Sequence, residues 1–326
     1  MLKLSMMNKI VKTVDENWRS AIAETILTRW GYDEGSVYYY RGSANFIFVF
    51  KRDGKRYFLR FNHSSERNFD EIHDELRIVN YLHEHGVKVA LPEISRHNQL
   101  IESVDTDHGL FYSVVFEALE GNHWDIENLK EEDYYSWGRA LGRLHHIFKT
   151  MPDEFTLHRK SWFDQVEHIQ PYLTSNEKEG LRVLVEKMKA IPVSNENYGS
   201  IHFDFELDNI IWNNNEVSIL DFDDCSRNWY VADIVYALRD LEKLEGRMFD
   251  SFIEGYKHET ALDERVLKHI EIFKVFHHYF ALARLVRSVD IDEKDLVNDS
   301  LRGLRKKLLL YIQSYRENID ENTEIL

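Results

Sequence analysis

Short apolar runs mark the first third of the chain, and helical periodicity marks most of the rest. Residues 37–40, 46–50 and 57–61 are rich in aromatic and β-branched side chains, and Asp53-Gly54 between the last two is a turn pair. That pattern predicts antiparallel strands. Residues 14–30 place Trp18, Ile22, Ile26 and Leu27 at helical spacing, which predicts one helix ahead of the strands. Residues 68–85 predict a second, with Phe69, Ile72, Leu76, Val79 and His83 as its inward stripe and Gly86 as its stop. Residues 89–94 lead into a sheet edge, and 111–119 form an apolar strand that runs into Glu120-Gly121.

Beyond Gly121 the periodicity turns helical. Tyr134, Trp137, Leu141, Leu144 and Phe148 form one stripe, with Gly138 and Gly142 small enough to allow close packing. Further helices are predicted at 180–189, 230–241, 247–256, 266–288 and 294–316. Among them, 210–212 and 217–220 are β-favouring runs joined by Asn213-Asn214-Asn215. Asparagine tolerates the left-handed turn conformation, so these runs form a hairpin. The pattern divides the chain into 1–120, sheet-bearing, and 121–326, mainly helical.

Composition narrows the function classes. With 57 acidic against 41 basic residues the formal charge is -16, which argues against a nucleic-acid partner. The one cysteine, Cys225, can form no internal disulfide and points to a reducing compartment. No stretch approaches a membrane span, and the first residues lack the apolar core of a signal peptide, so the expectation is a cytoplasmic protein. His145-His146 and His277-His278 lack zinc-type spacing and read as structural.

The chemistry concentrates in His202-Phe203-Asp204, Asn209 and Asp221-Phe222-Asp223. The first three follow the pattern H-x-D-x-x-x-x-N, and the last begins at the end of an apolar run. Folding back at Asn214 lays the Asp221 end of the second strand beside Asn209. One loop and one hairpin thereby gather Asp204, Asn209 and Asp221. An amide oxygen and a carboxylate are hard ligands of the kind Mg²⁺ takes. A second carboxylate can accept the proton of an attacking hydroxyl. Together these are the needs of phosphoryl transfer from ATP.

This constellation resembles the aminoglycoside phosphotransferase family, with its choline kinase and homoserine kinase relatives, and through it the protein-kinase-like fold. The resemblance implies a two-lobed α+β protein with a small antiparallel-sheet N-terminal lobe (1–120) that binds nucleotide. A helical C-terminal lobe (121–326) would carry catalysis and the substrate. It implies ATP and Mg²⁺ as cofactors, Asp204 as catalytic base, and His202 as a brace of the catalytic loop. Asn209 and Asp221 would be the metal ligands, and Asp233 would hydrogen-bond the loop from below. In the small lobe, Gly42, Ser43 and Asn45 would cover the phosphates, although the repeated glycines of protein kinases are absent here. Arg60 stands where the family has lysine, with Glu75 as its ion-pair partner. The backbone from Glu117 to Leu119 would hold the adenine edge.

Two other readings share these residues: a protein Ser/Thr kinase, and a nucleotide-binding relative without turnover. All three polar residues are present, which leaves the latter supported only by Arg60. Protein kinases place an activation segment and A-P-E after the metal motif, and neither fits before the helix predicted from Tyr230. The preferred acceptor is therefore a small-molecule hydroxyl. Glu206, Asp208, Asp223 and Asp224 add negative charge around Asp204 and favour a cationic, amine-bearing alcohol. The alternative is that these acids pair with Arg227 and Arg239.

Overall fold

Alternating aromatic and aliphatic residues in the first third pair into one antiparallel sheet. The computed structural model describes residues 1–214, 216–241 and 244–321; Asn215, the third asparagine of the predicted hairpin turn, lies outside the described residues. The strands are β1 (Tyr38–Gly42), β2 (Phe46–Arg52), β3 (Lys55–His63), β4 (Pro92–Glu93), β5 (Glu102–Thr106) and β6 (Gly109–Glu117). Their order is β1-β2-β3-β6-β4, with β5 also paired to β6. Arg52 faces Lys55 across the Asp53-Gly54 turn, and both turn residues take positive φ, as a two-residue hairpin requires.

Contacts group Met1–Leu76, Leu91–Ala118 and Leu282–Arg316 into a first unit, and Arg77–Ala90, Leu119–Ala281 and Glu317–Leu326 into a second. The first unit packs Phe48 on Phe61 at 5.6 Å between ring centres, and Phe61 edge-on to Phe111 at 5.4 Å. It also holds α1 (Leu4–Val11), α2 (Ala21–Leu27) and the first half of α3 (Phe69–Glu84). Asn68 begins α3 by accepting the Glu71 N–H at 2.8 Å, a capping contact. Ile72 and Leu76 of α3 form a core cluster with Ile101 and Val114.

Helical periodicity misleads at two places here. The single helix predicted over 14–30 is broken. The Asp15 carboxylate accepts backbone N–H groups of Asn17 and Arg19, each at 2.9 Å, and Trp18 takes φ 63. This local capping competes with helix, so only Ala21–Leu27 stays helical and Trp18 is 62% exposed. On α3 the buried stripe is Ile72, Ile78, Val79 and Leu82 with Leu76, whereas Phe69 and His83 are exposed.

The second unit carries α4 (Glu131–Phe148), α5 (Trp162–Ile169), α6 (Ser175–Lys189), and strands β7 (Tyr198–Ile201), β8 (Ile210–Asn213), β9 (Glu216–Ile219) and β10 (Ser226–Trp229). Helices α7 (Tyr230–Ala237), α8 (Arg247–Glu259), α9 (Glu264–Leu267), α10 (Ile270–Ser288) and α11 (Asp299–Glu321) follow, the last two shared with the first unit. The predicted helix over 266–288 is two: Asp263 caps α9 through the Arg265 N–H, and the chain turns before α10. The helix predicted from residue 294 starts at Asp299, and the one predicted over 230–241 ends at Ala237.

Tyr134, Trp137, Leu141, Leu144 and Phe148 all lie buried along α4. Their glycine neighbours set how closely α8 approaches. A Cβ on Gly138 would stand 1.9 Å from the Phe252 carbonyl oxygen, and one on Gly142 2.4 Å from that of Tyr256. Among the described residues no helix is long and apolar enough to cross a membrane.

Candidate active site

Strand β7 ends at Ile201, and the loop to β8 begins with two residues held by one carboxylate. Asp233, fully buried in the first turn of α7, accepts the backbone N–H of His202 at 2.7 Å and of Phe203 at 2.6 Å. Phe203 takes φ 64, a left-handed conformation that costs a non-glycine residue about 1 kcal/mol or more. The two charge-assisted hydrogen bonds offset that cost and turn the chain so that Asp204 stands clear of the core.

His202 ties this loop to the hairpin. Its Nδ1 accepts the Asp204 N–H at 3.3 Å, and its Nε2 donates to the Leu220 carbonyl at 3.0 Å. The tautomer is therefore fixed by two backbone groups. Leu220 in turn donates its N–H to the Asn209 carbonyl at 2.9 Å. β8 and β9 pair from Ile210–Ile219 to Asn213–Glu216, and Asn214 takes φ 55 in the turn. Asp204, Asn209 and Asp221 are thus gathered by the loop and hairpin.

Asn209 points its amide nitrogen at Asp204, 2.8 Å from Oδ2 and 2.9 Å from the backbone carbonyl. That leaves the amide oxygen as its ligand-type atom. Asp221 adds a carboxylate from a residue with φ 59, the second left-handed residue of the site. Asn209 is buried, and an amide oxygen with a carboxylate is a donor set of the kind a hard divalent cation such as Mg²⁺ takes.

Beneath the loop lies a second layer that sequence pattern did not reveal. His145 of α4 donates Nε2–H to Asp233 at 2.9 Å, and its Nδ1 meets the Tyr256 hydroxyl of α8, also at 2.9 Å. Burial holds the His145 imidazole below its usual pKa, against the pull of its hydrogen bond to Asp233. Burial raises that of Tyr256, so the tyrosine keeps its proton and donates a hydrogen bond to the neutral ring. Tyr236 is the other unforeseen residue. Its hydroxyl donates to Asp204 Oδ1 at 2.5 Å. Tyr236 follows Asp233 by three residues on α7, so helical spacing from Asp233 was the available signal.

In the first unit Arg60 sits in the middle of β3, opposite Ile47 and Val114. Its guanidinium makes a buried two-pronged ion pair with Glu75, Nη1–Oε1 2.6 Å and Nη2–Oε2 2.8 Å, and lies 4.9 Å over the Phe116 ring. Arg67 adds a longer contact to Glu75 Oε2 at 3.4 Å. The β1–β2 connection leaves Gly42 and Ser43 half-buried, whereas Asn45 is buried and its carbonyl accepts the Ser43 N–H at 3.2 Å. A Cβ on Gly42 would stand 2.7 Å from the Tyr39 hydroxyl, so packing also favours a glycine there. At the end of β6 the Glu117 N–H donates to the Leu91 carbonyl at 3.1 Å; Leu119 follows as the first residue allotted to the second unit.

The acids near Asp204 are not all open. Glu206 forms an ion pair with Arg239, so it does not join the negative field expected from the sequence. Arg227 pairs with Asp153 at 3.2 Å instead. Asp208 is exposed. Cys225 is buried, with its thiol 2.9 Å from the Ile201 carbonyl.

The sequence model of the phosphotransferase enzyme family matches residues 41–268. Amicoumacin kinase of Bacillus subtilis (strain 168) is 24% identical over 306 residues, spanning 86% of this chain and 89% of that protein. Among solved structures, an amicoumacin kinase in complex with AMP-PNP, Ca²⁺ and Ami aligns with a TM-score of 0.75 at 22% identity, over 93% of this chain and 95% of that one. A microcompartment-associated aminopropanol kinase gives 0.74 at 18% identity, over 93% and 97%. The likeness fixes the fold: a small antiparallel sheet followed by a mainly helical part, as in these kinase-like phosphotransferases.

Proposed function

Because the chain belongs to the phosphotransferase enzyme family, we propose that it moves the γ-phosphoryl group of ATP to a hydroxyl of a small molecule, with Asp204 as the base. The observation that carries this reading is the Asp204–Asn209 pair, held beside Asp221 by the Leu220–Asn209 backbone bond. It joins a proton acceptor to a metal-type donor set within one loop and one hairpin. Relatives whose names or contents include a kinase activity and AMP-PNP with Ca²⁺ support the same nucleotide chemistry.

Asp204 accepts the acceptor's proton as its oxygen bonds to the γ-phosphorus, and ADP departs with the electron pair of the broken bond. Asn209 orients the carboxylate through Oδ2, and Oδ1, to which the Tyr236 hydroxyl donates, is the oxygen that takes the proton. Asp233 holds the N–H groups of His202 and Phe203, and His202 that of Asp204 itself, so its direction is set before substrate arrives. Asn209 and Asp221 would hold Mg²⁺, which when bound would supply neutralisation of charge on the phosphate oxygens. Arg60, fixed by Glu75, presents a cation suited to phosphate in the first unit.

The acceptor we favour is an amine-bearing alcohol. Support comes from the exposed Asp208 carboxylate and from a relative named for aminopropanol, itself an amino alcohol. After Asp223 the chain enters β10 and then α7, which leaves no activation segment of the protein-kinase type. The test is a screen of ADP release across amino alcohols, aminoglycosides, neutral sugars and a generic protein, with Asp204→Asn as control. The expected result is turnover with an amine-bearing alcohol and a loss of at least about 100-fold in Asp204→Asn. Equal turnover in Asp204→Asn, with chemistry limiting, removes Asp204 from the base role.

A further inference from the structure

Both oxygens of the Asp204 carboxylate already carry a donor. Asn209 serves Oδ2 at 2.8 Å, and the Tyr236 hydroxyl serves Oδ1 at 2.5 Å. Oδ1 is the atom a substrate hydroxyl must reach to deliver its proton. Tyr236 offers the same O–H group and stands in that place. Its ring is edge-on to His277 at 4.7 Å, tilted against Phe203 at 6.0 Å, and covered by the Arg239 guanidinium at 4.4 Å. Arg239 is itself anchored on Glu206. The ring is clamped on three sides, yet the residue is only half-buried, so a bound ligand can take over the hydrogen bond.

We infer that Tyr236 occupies the proton-accepting oxygen of Asp204 while no acceptor is bound, and so protects ATP from water; this rests on the assignment of Asp204 as base. In the reaction it suppresses, a water oxygen bonds to the γ-phosphorus as the bond to the β–γ bridging oxygen breaks. ADP keeps that electron pair, and the water's proton passes to Asp204 Oδ1. The phenol holds one of the two acceptor directions of Oδ1, so a water must compete with it for that oxygen. An acceptor alcohol displaces the phenol with binding energy from the rest of its structure, which water lacks. Tyr236 is therefore a positioning residue that sets the ratio of transfer to hydrolysis.

The hydrolysis measurement needs no acceptor; transfer is read with the acceptor found in the screen above. Tyr236→Phe keeps the ring contacts and removes only the hydroxyl. Hydrolysis of Mg-ATP by the purified chain should rise about tenfold, the scale of one hydrogen bond to a charged group, with an unchanged melting temperature. The double variant Asp204→Asn/Tyr236→Phe should lose the gain. A gain of rate is not produced by simple structural damage. Hydrolysis that stays level or falls in Tyr236→Phe, while Asp204→Asn still abolishes transfer, overturns the inference and leaves the base assignment standing. Hydrolysis that persists in the double variant also overturns it. Transfer unaffected by Asp204→Asn overturns both.

Discussion

Arg60 and Glu75 place two opposite charges almost wholly out of solvent, at 6% and 1% exposure. Desolvation makes such a pair a poor source of net stability, but removing one partner leaves the other buried and charged. Arg60→Met should therefore destabilise the chain by about 3 kcal/mol, since Arg67 at 3.4 Å is a distant substitute. Arg60→Met/Glu75→Leu should recover much of that loss while staying deficient in ATP binding. Denaturant unfolding of the two variants, alongside calorimetric titration with Mg-ATP, separates the structural from the phosphate-facing role. Full ATP affinity in the double variant would remove Arg60 from phosphate binding. His202 is a similar lesson at this scale: both its nitrogens are spent on backbone groups, so it fixes the loop and takes no proton from substrate.

At the scale of elements, α4 and α8 are joined by missing side chains. Gly138 and Gly142 on α4, and Gly255 on α8, each meet a backbone carbonyl where a Cβ would stand within 2.4 Å. The same two helices carry His145 and Tyr256, the lower end of the chain of hydrogen bonds that reaches Asp233 and the Asp204 loop. The packing of these helices is thereby tied to the position of the Asp204 loop. Gly142→Ala should force the helices apart, cost roughly 1–3 kcal/mol, and lower the turnover number by loosening the Asp233 brace. Alanine at Gly303, where a Cβ meets nothing within 4 Å, is the matched control. Thermal unfolding and turnover should both fall in the first variant and neither in the second. A fall in melting temperature with unchanged turnover would uncouple the packing from the loop.

For the whole molecule, pH is a test of how much of this architecture rests on the neutral imidazoles of buried His145 and half-buried His278. Burial holds His145 below its ordinary pKa, and burial together with Lys274 holds His278 down to about 4. In the unfolded chain both return to about 6.5, so between these limits the unfolded state binds more protons. Stability is complete above about pH 6.5 and is lost as pH falls from there toward 4. The melting temperature should fall in that window, and His278→Asn should flatten the curve. Parallel curves for the two proteins would remove His278 from the linkage. How much of this was legible beforehand follows from the range of each interaction. Asp53-Gly54, the aromatic runs of β2 and β3 and the α4 stripe are local patterns, and local sterics and burial decide them. The order Asp204, Asn209, Asp221 along a loop and hairpin is also local, so the sequence could bring these three together. The break at Asp15–Arg19 escaped because side-chain capping competes with helical periodicity over only a few residues. His145 and Tyr256 reach the site from helices far apart in the chain, and no spacing encodes such meetings, whereas Tyr236 carried only its three-residue spacing from Asp233. Only tertiary packing decided that Glu206 spends its charge on Arg239, and that a tyrosine hydroxyl donates to Asp204, because a charge's partner is set by distance in space.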